Sequence, residues 1–113
     1  MTLEEAINLE HVKRGYKVTC DNHSPYAPTS GYVAYRQGHW TVPKVGCGPL
    51  AVFATYTEAL DACNRWDGTQ IWACCFIESK EKSLYYNNAA HRIQYHSDLI
   101  PKGTRFADAV MIL

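Results

Sequence analysis

The apolar positions between residues 46 and 77 change period twice, and the changes predict strand, helix, strand in that order. Leu50 to Ala54 is a short apolar run that follows Gly48-Pro49. Thr55 and Glu58 then have capping-box spacing, in which each side chain can satisfy a free N–H at a helix start. Ala59, Ala62, Cys63 and Trp66 recur at helical spacing and Asp67-Gly68 supplies a stop, which predicts a helix over 56–66. The run 71–77 is apolar at every alternating position, as expected of a strand covered on both faces.

Elsewhere the pattern is less uniform. Thr2 and Glu5 repeat the capping box, and Leu3, Ala6, Ile7 and Val12 form one stripe closed by Arg14-Gly15, which predicts a first helix. Residues 16–20 read as a strand and 21–30, rich in Asn, Ser and Pro, as a long loop. The stretches 31–36 and 39–42 around Gln37-Gly38 read as a hairpin, with Tyr32, Ala34 and Arg36 on one face and Val33 and Tyr35 on the other. Residues 43–49 form a loop, 84–87 a strand, 88–98 an irregular stretch, and 106–113 a last strand after the turn Pro101-Lys102-Gly103. The sum is an α+β fold: an antiparallel or mixed sheet of about six strands with two helices packed on one face.

A chain of 113 residues holds a single domain, 1–113, and 47% hydrophobic against 19% charged residues suits a folded one. The acidic start and the shortness of every apolar run predict a cytoplasmic protein with no membrane partner. Eleven basic and eleven acidic residues cancel, which argues against a duplex nucleic acid partner held by counterion release. Five cysteines without CxxC spacing read as reduced and mostly buried thiols, and a zinc site using Cys with His91 or His96 lacks chelate spacing, so neither metal nor cofactor is expected.

Catalytic signatures are missing: the chain carries no phosphate loop, GxGxxG, nucleophile elbow or zincin helix. Cys20, beside Asp21 and His23, is the cysteine with the neighbours a nucleophile requires, although a buried thiol explains it more simply. Tyrosines and tryptophans instead stand close to isolated cations, as in Tyr35-Arg36, His39-Trp40 and His91-Arg92. Aromatic faces stack bases and guanidinium groups grip phosphates. His23 in the long loop, Arg36, Trp40, Arg92, and Thr104 with Arg105 at the entrance to the last strand are therefore the candidate ligand-binding residues for a small anionic nucleotide.

Taken together, Gly15-Tyr-Lys-Val, Gly31-Tyr-Val-Ala-Tyr, Gly38-His-Trp-Thr-Val-Pro, Gly48-Pro-Leu-Ala-Val-Phe and Pro101-Lys-Gly-Thr-Arg-Phe-Ala-Asp-Ala-Val resemble small bacteriophage proteins, and among them the Thoeris anti-defence proteins. That resemblance implies a sponge, which sequesters a cyclic nucleotide or cyclic ADP-ribose-type immune signal without cleaving it. It also implies a homo-oligomer with ligands between subunits, and makes Arg36, Arg92 and Arg105 phosphate partners. Two other classes compete: an ADP-ribosyltransferase-like enzyme using NAD, with Glu78 as its acid, and a protein-interaction module that covers a host enzyme through an exposed apolar patch.

Overall fold

The computed structural model describes residues 11–20, 33–64, 69–88, 91–94 and 100–113. Within them the chain is mostly β, and the α+β expectation of two helices on a six-stranded sheet gives way to a small closed barrel with one flanking helix. The strands are β1 (Val12–Cys20), β2 (Trp40–Thr41), β3 (Cys47–Gly48), β4 (Leu50–Phe53), β5 (Thr69–Glu78), β6 (Tyr85–Asn88), β7 (His91–Gln94) and β8 (Thr104–Ile112). The helix α1 spans Tyr56–Cys63.

Four antiparallel strands make the barrel. β1 lies between β4 and β5, and β8 pairs with both β4 and β5, so the sheet returns on itself. β2 extends β8 on the outside, and β3, β6 and β7 form a second, three-stranded sheet. Closure explains why 74–77 are buried at successive positions. Cys74 and Phe76 point into the barrel with Leu50, Val52, Ala107, Val110 and Ile112, whereas Ile77 packs outside against Ala109, Val12 and Trp40. The ladder between β5 and β8 slips at Ile77/Glu78, a bulge of the kind that lets a sheet bend into a barrel.

Closure also corrects the first helix. Residues 1–10 lie outside the described residues, but Val12–Arg14, read as the end of that helix, are the start of β1. Gly15 is not a helix stop. A Cβ there would come within 2.6 Å of the Phe53 carbonyl oxygen and 2.9 Å of the Phe76 ring, so glycine is what lets β4 and β5 approach across the barrel.

The strand-helix-strand unit is present as read, with its helix ending at Cys63. Thr55 caps α1: its hydroxyl accepts from the Glu58 N–H at 3.2 Å and donates to the Glu58 carboxylate at 3.0 Å. Ala59 and Ala62 let the helix lie close against Val18 and Phe53 on the outer barrel wall. Trp66 and the stop at Asp67-Gly68 lie outside the described residues. The turn at 101–103 enters β8 through Gly103, at φ 88°, whose missing side chain leaves room for the Glu58 carboxylate.

Three local expectations change. The turn at Gly38 forms, with φ 80° and the His39 N–H donating to the Arg36 carbonyl, but Trp40 and Thr41 pair with Met111 and Val110 rather than with 33–36, and Gly31 and Tyr32 lie outside the described residues. The alternation on that segment survives, since Tyr35 is buried and Ala34 and Arg36 are exposed. The 88–98 stretch, read as irregular, contains β7, which pairs with β6. The long loop 21–30 lies outside the described residues.

Two stability changes follow. Gly15→Ala should cost about 1–3 kcal/mol by overpacking the barrel, and Thr55→Ala about 1 kcal/mol by uncapping α1. Chemical denaturation of both variants checks this, and a Gly15→Ala chain as stable as the original would contradict the close approach.

Candidate functional site

Each group able to do chemistry is best judged by what it already touches. Glu78 is held between Lys13 and Arg105, with Arg105 Nη2 at 2.9 Å, and these hydrogen bonds pull its carboxyl down to about 2. An acid so firmly ionised is poorly suited to donate a proton. Its position at the β5 bulge, opposite Ala107, brings two cations from β1 and β8 onto one carboxylate.

The five cysteines are thiols, and Cys74 and Cys75 are buried. Burial pushes Cys74 up to about 12, which makes it a poor nucleophile. Cys20 is half-buried at the end of β1, and its neighbours Asp21 and His23 lie outside the described residues. Among the described residues no cluster of three metal-ligating side chains occurs. No helix there is long and apolar enough to cross a membrane.

Inside the barrel sits a lysine that the sequence reading passed over. Lys17 alternates with Tyr16 and Val18 on β1 and therefore points inward, where only 1% of it is exposed. Its Nζ donates to the Ala51 carbonyl at 2.7 Å and lies 4.8 Å from the centre of the Tyr35 ring, a cation–π geometry. Desolvation lowers the amine from 10.5 to about 7. The Tyr35 hydroxyl is buried without a hydrogen-bond partner among the described residues, and burial pushes its ionisation upward. Nearby on the inner face, Trp72 Nε1 donates to Thr19 Oγ1 at 2.9 Å. A neutral amine is a nucleophile, but this one is enclosed by the barrel wall, so a carbonyl substrate has no route to it.

The open concavity lies on the other side of that wall. Arg14, Gly15, Tyr16, Ala54, Ala73, Cys74 and Leu113 line a cleft of about 180 Å³. Tyr16 meets Tyr56 of α1 edge to face, at 5.7 Å and 78°, and Tyr56 is 53% exposed. Gln37 reaches the far rim, where its side-chain amide donates to the Leu113 carbonyl at 3.0 Å. The register runs Gln37, Ile112, Cys74, Gly15 across the sheet. Three strand spacings, about 14 Å, therefore separate Gln37, and Arg36 next to it, from Gly15 and Arg14. Arg14 and Arg36 are exposed, and neither forms an ion pair among the described residues.

The sequence-derived candidates divide between places. Arg36 and Trp40 sit at one end of β8, since Trp40 pairs with Met111, and Thr104 and Arg105 begin the strand seven residues away, about 23 Å along it. Trp40 is half-buried against Ile77 and Ala109, the Thr104 hydroxyl donates to the Pro101 carbonyl at 2.6 Å, and Arg105 is paired with Glu78. Arg92 is on β7 of the second sheet, and His23 lies outside the described residues. Arg14 and Tyr16 were missed because Arg14 looked like a helix end. The signal available was their flanking of Gly15, a glycine inside a strand that marks a close approach of backbones.

The ionisations give a stability profile. Folded Lys17 loses its proton near pH 7 and unfolded lysine near 10.5, so between these values the unfolded chain binds the extra proton and stability rises with pH. The slope is at most about 1.36 kcal/mol per pH unit. Cys74, held protonated to about 12 against its usual 9.0, and Tyr35 above pH 10 act in the opposite sense, so the rise is confined to about pH 7–9. Glu78 adds stability present above 4.5 and lost as pH falls toward 2. Denaturation midpoints from pH 6 to 9 should climb for the native chain and stay level for Lys17→Met, and a level native profile would contradict the buried amine.

No family profile, characterised protein or solved structure matches the chain.

Proposed function

We propose that this protein captures a small anionic nucleotide without transforming it, at the cleft beside Arg14 and Tyr16, and so sequesters a signal of the cyclic nucleotide or cyclic ADP-ribose class. The observation that carries the reading is the division of labour among the charged groups. Glu78, Cys74 and Lys17 are each committed to a partner or to the interior, while Arg14 lines the cleft, exposed and without an ion pair among the described residues. Tyr16 and Tyr56 add an aromatic wall on which a base can stack. The sponge role and the signal class come from the resemblance to Thoeris anti-defence proteins.

Size bears on assembly. Ligand pockets generally occupy about 300–1,000 Å³, and this cleft offers about 180 Å³. A phosphate group fits, and a whole nucleotide needs further walls. A second copy of the chain supplies them in this proposal, with Tyr56 and Leu113, both exposed, available around the opening.

The ADP-ribosyltransferase-like alternative loses support from Glu78, whose two cation partners leave it little freedom to engage a bound sugar. Calorimetry against cyclic dinucleotides, cyclic trinucleotides and cyclic ADP-ribose isomers tests the proposal, together with mass spectrometry of ligand recovered afterwards. At least one should bind and return unaltered. Arg14→Ala should weaken binding by about 1–3 kcal/mol, as loss of a charged hydrogen bond does, and Lys80→Ala should leave it unchanged. A panel without binders, or a ligand recovered hydrolysed, overturns the reading.

A further inference from the structure

The cleft and the buried lysine share one layer of structure. Gly15 and Cys74 are register partners on β1 and β5, and both line the cleft. Cys74 also belongs to the cluster that fills the barrel, and Lys17 follows two residues after Gly15 on the same inward face. The floor of the cleft is thus one strand layer thick, with the Phe76 ring behind Gly15, and Cys74 both lines the cleft and interacts electrostatically with the Lys17 amine.

Among the described residues that amine has no counter-charge. β4 and β8 turn aliphatic side chains toward it, β5 contributes Cys74 between Trp72 and Phe76, and the segment before β2 contributes Tyr35. Thr19 is its polar neighbour on β1. Among the described residues that face Lys17, the titratable ones are therefore Cys74 and Tyr35, and burial keeps both protonated. One carbonyl and one aromatic face are what the ammonium has.

We propose that Lys17 is a proton-linked part of the anion site: an anion seated in the cleft and a proton on the buried amine stabilise each other through the Gly15–Cys74 floor. The inference rests on the cleft being the anion site proposed above. The poise of the amine near pH 7 places the effect within ordinary solution conditions. Reciprocity is obligatory, so if an anion draws a proton onto Lys17, acidification must tighten the anion by the same factor. For one proton the affinity can change at most tenfold per pH unit. For a coupling relayed past Cys74 a net change of about five- to tenfold is expected.

Sulfate is the probe, because it keeps one charge state from pH 6 to 8.5 and any pH dependence then belongs to the protein. Its affinity, followed by the amide resonances of Gly15 and Ala73, should fall about five- to tenfold from pH 6 to pH 8.5 in the native chain. The same titration of Lys17→Met should be flat, and that variant retains His39 and the other surface groups. The side-chain resonance of Lys17 in the unsubstituted protein should titrate at a higher midpoint with sulfate than without, which decides the matter even if Lys17→Met does not fold. Sulfate bound with an unmoved Lys17 midpoint overturns the linkage and leaves the cleft reading intact, and no sulfate binding at any pH overturns both.

Discussion

Within the barrel, the amine of Lys17 is held by the carbonyl of Ala51 on one side and the ring of Tyr35 on the other, and much of the chain is arranged around that enclosure. A buried ammonium is costly to remove from water, and the barrel meets part of the cost by allowing the amine to be neutral near pH 7. Tyr35 lies just before the turn at Gly38 that leads into β2, so the contact fastens that segment over the barrel interior. The Ala51 carbonyl comes from β4, the shortest barrel strand. The hydrogen bond from Lys17 therefore ties β4 to β1 where their backbone register is limited to Tyr16 and Phe53.

Local chemistry was legible wherever the determinants were close in sequence. The cap of α1 by Thr55 and Glu58, the turn before β8 and the alternation at Val33–Arg36 all depend on neighbours a few residues apart. Barrel closure was not legible, because it is decided by β8 meeting β4 and β5 from far along the chain. Gly15 shows the ambiguity in one residue. After an apolar stripe, Arg14-Gly15 reads equally as a helix stop, and only the approach of Phe53 and Phe76 reveals why no side chain can stand there.

The candidate site was legible in kind rather than in position. Arginine beside aromatic residues is the chemistry found at the cleft, in Arg14 with Tyr16 and Tyr56, whereas Trp40, Thr104 and Arg105 have structural engagements that sequence spacing does not disclose. Lys17 was hidden for a different reason. Lysine is almost never fully buried, so a strand reading sends it to solvent unless parity is enforced against Val18.

Gly103 shows how a small turn can constrain the whole barrel. The space beside it is taken by Glu58, which also completes the cap of α1. A slip of β8 by one residue would bring a neighbour bearing a side chain, Lys102 or Thr104, against that carboxylate and would turn the buried face of β8 outward. The helix cap therefore acts as a gauge for the last strand: α1 is properly closed only when β8 has docked in the register that completes the barrel.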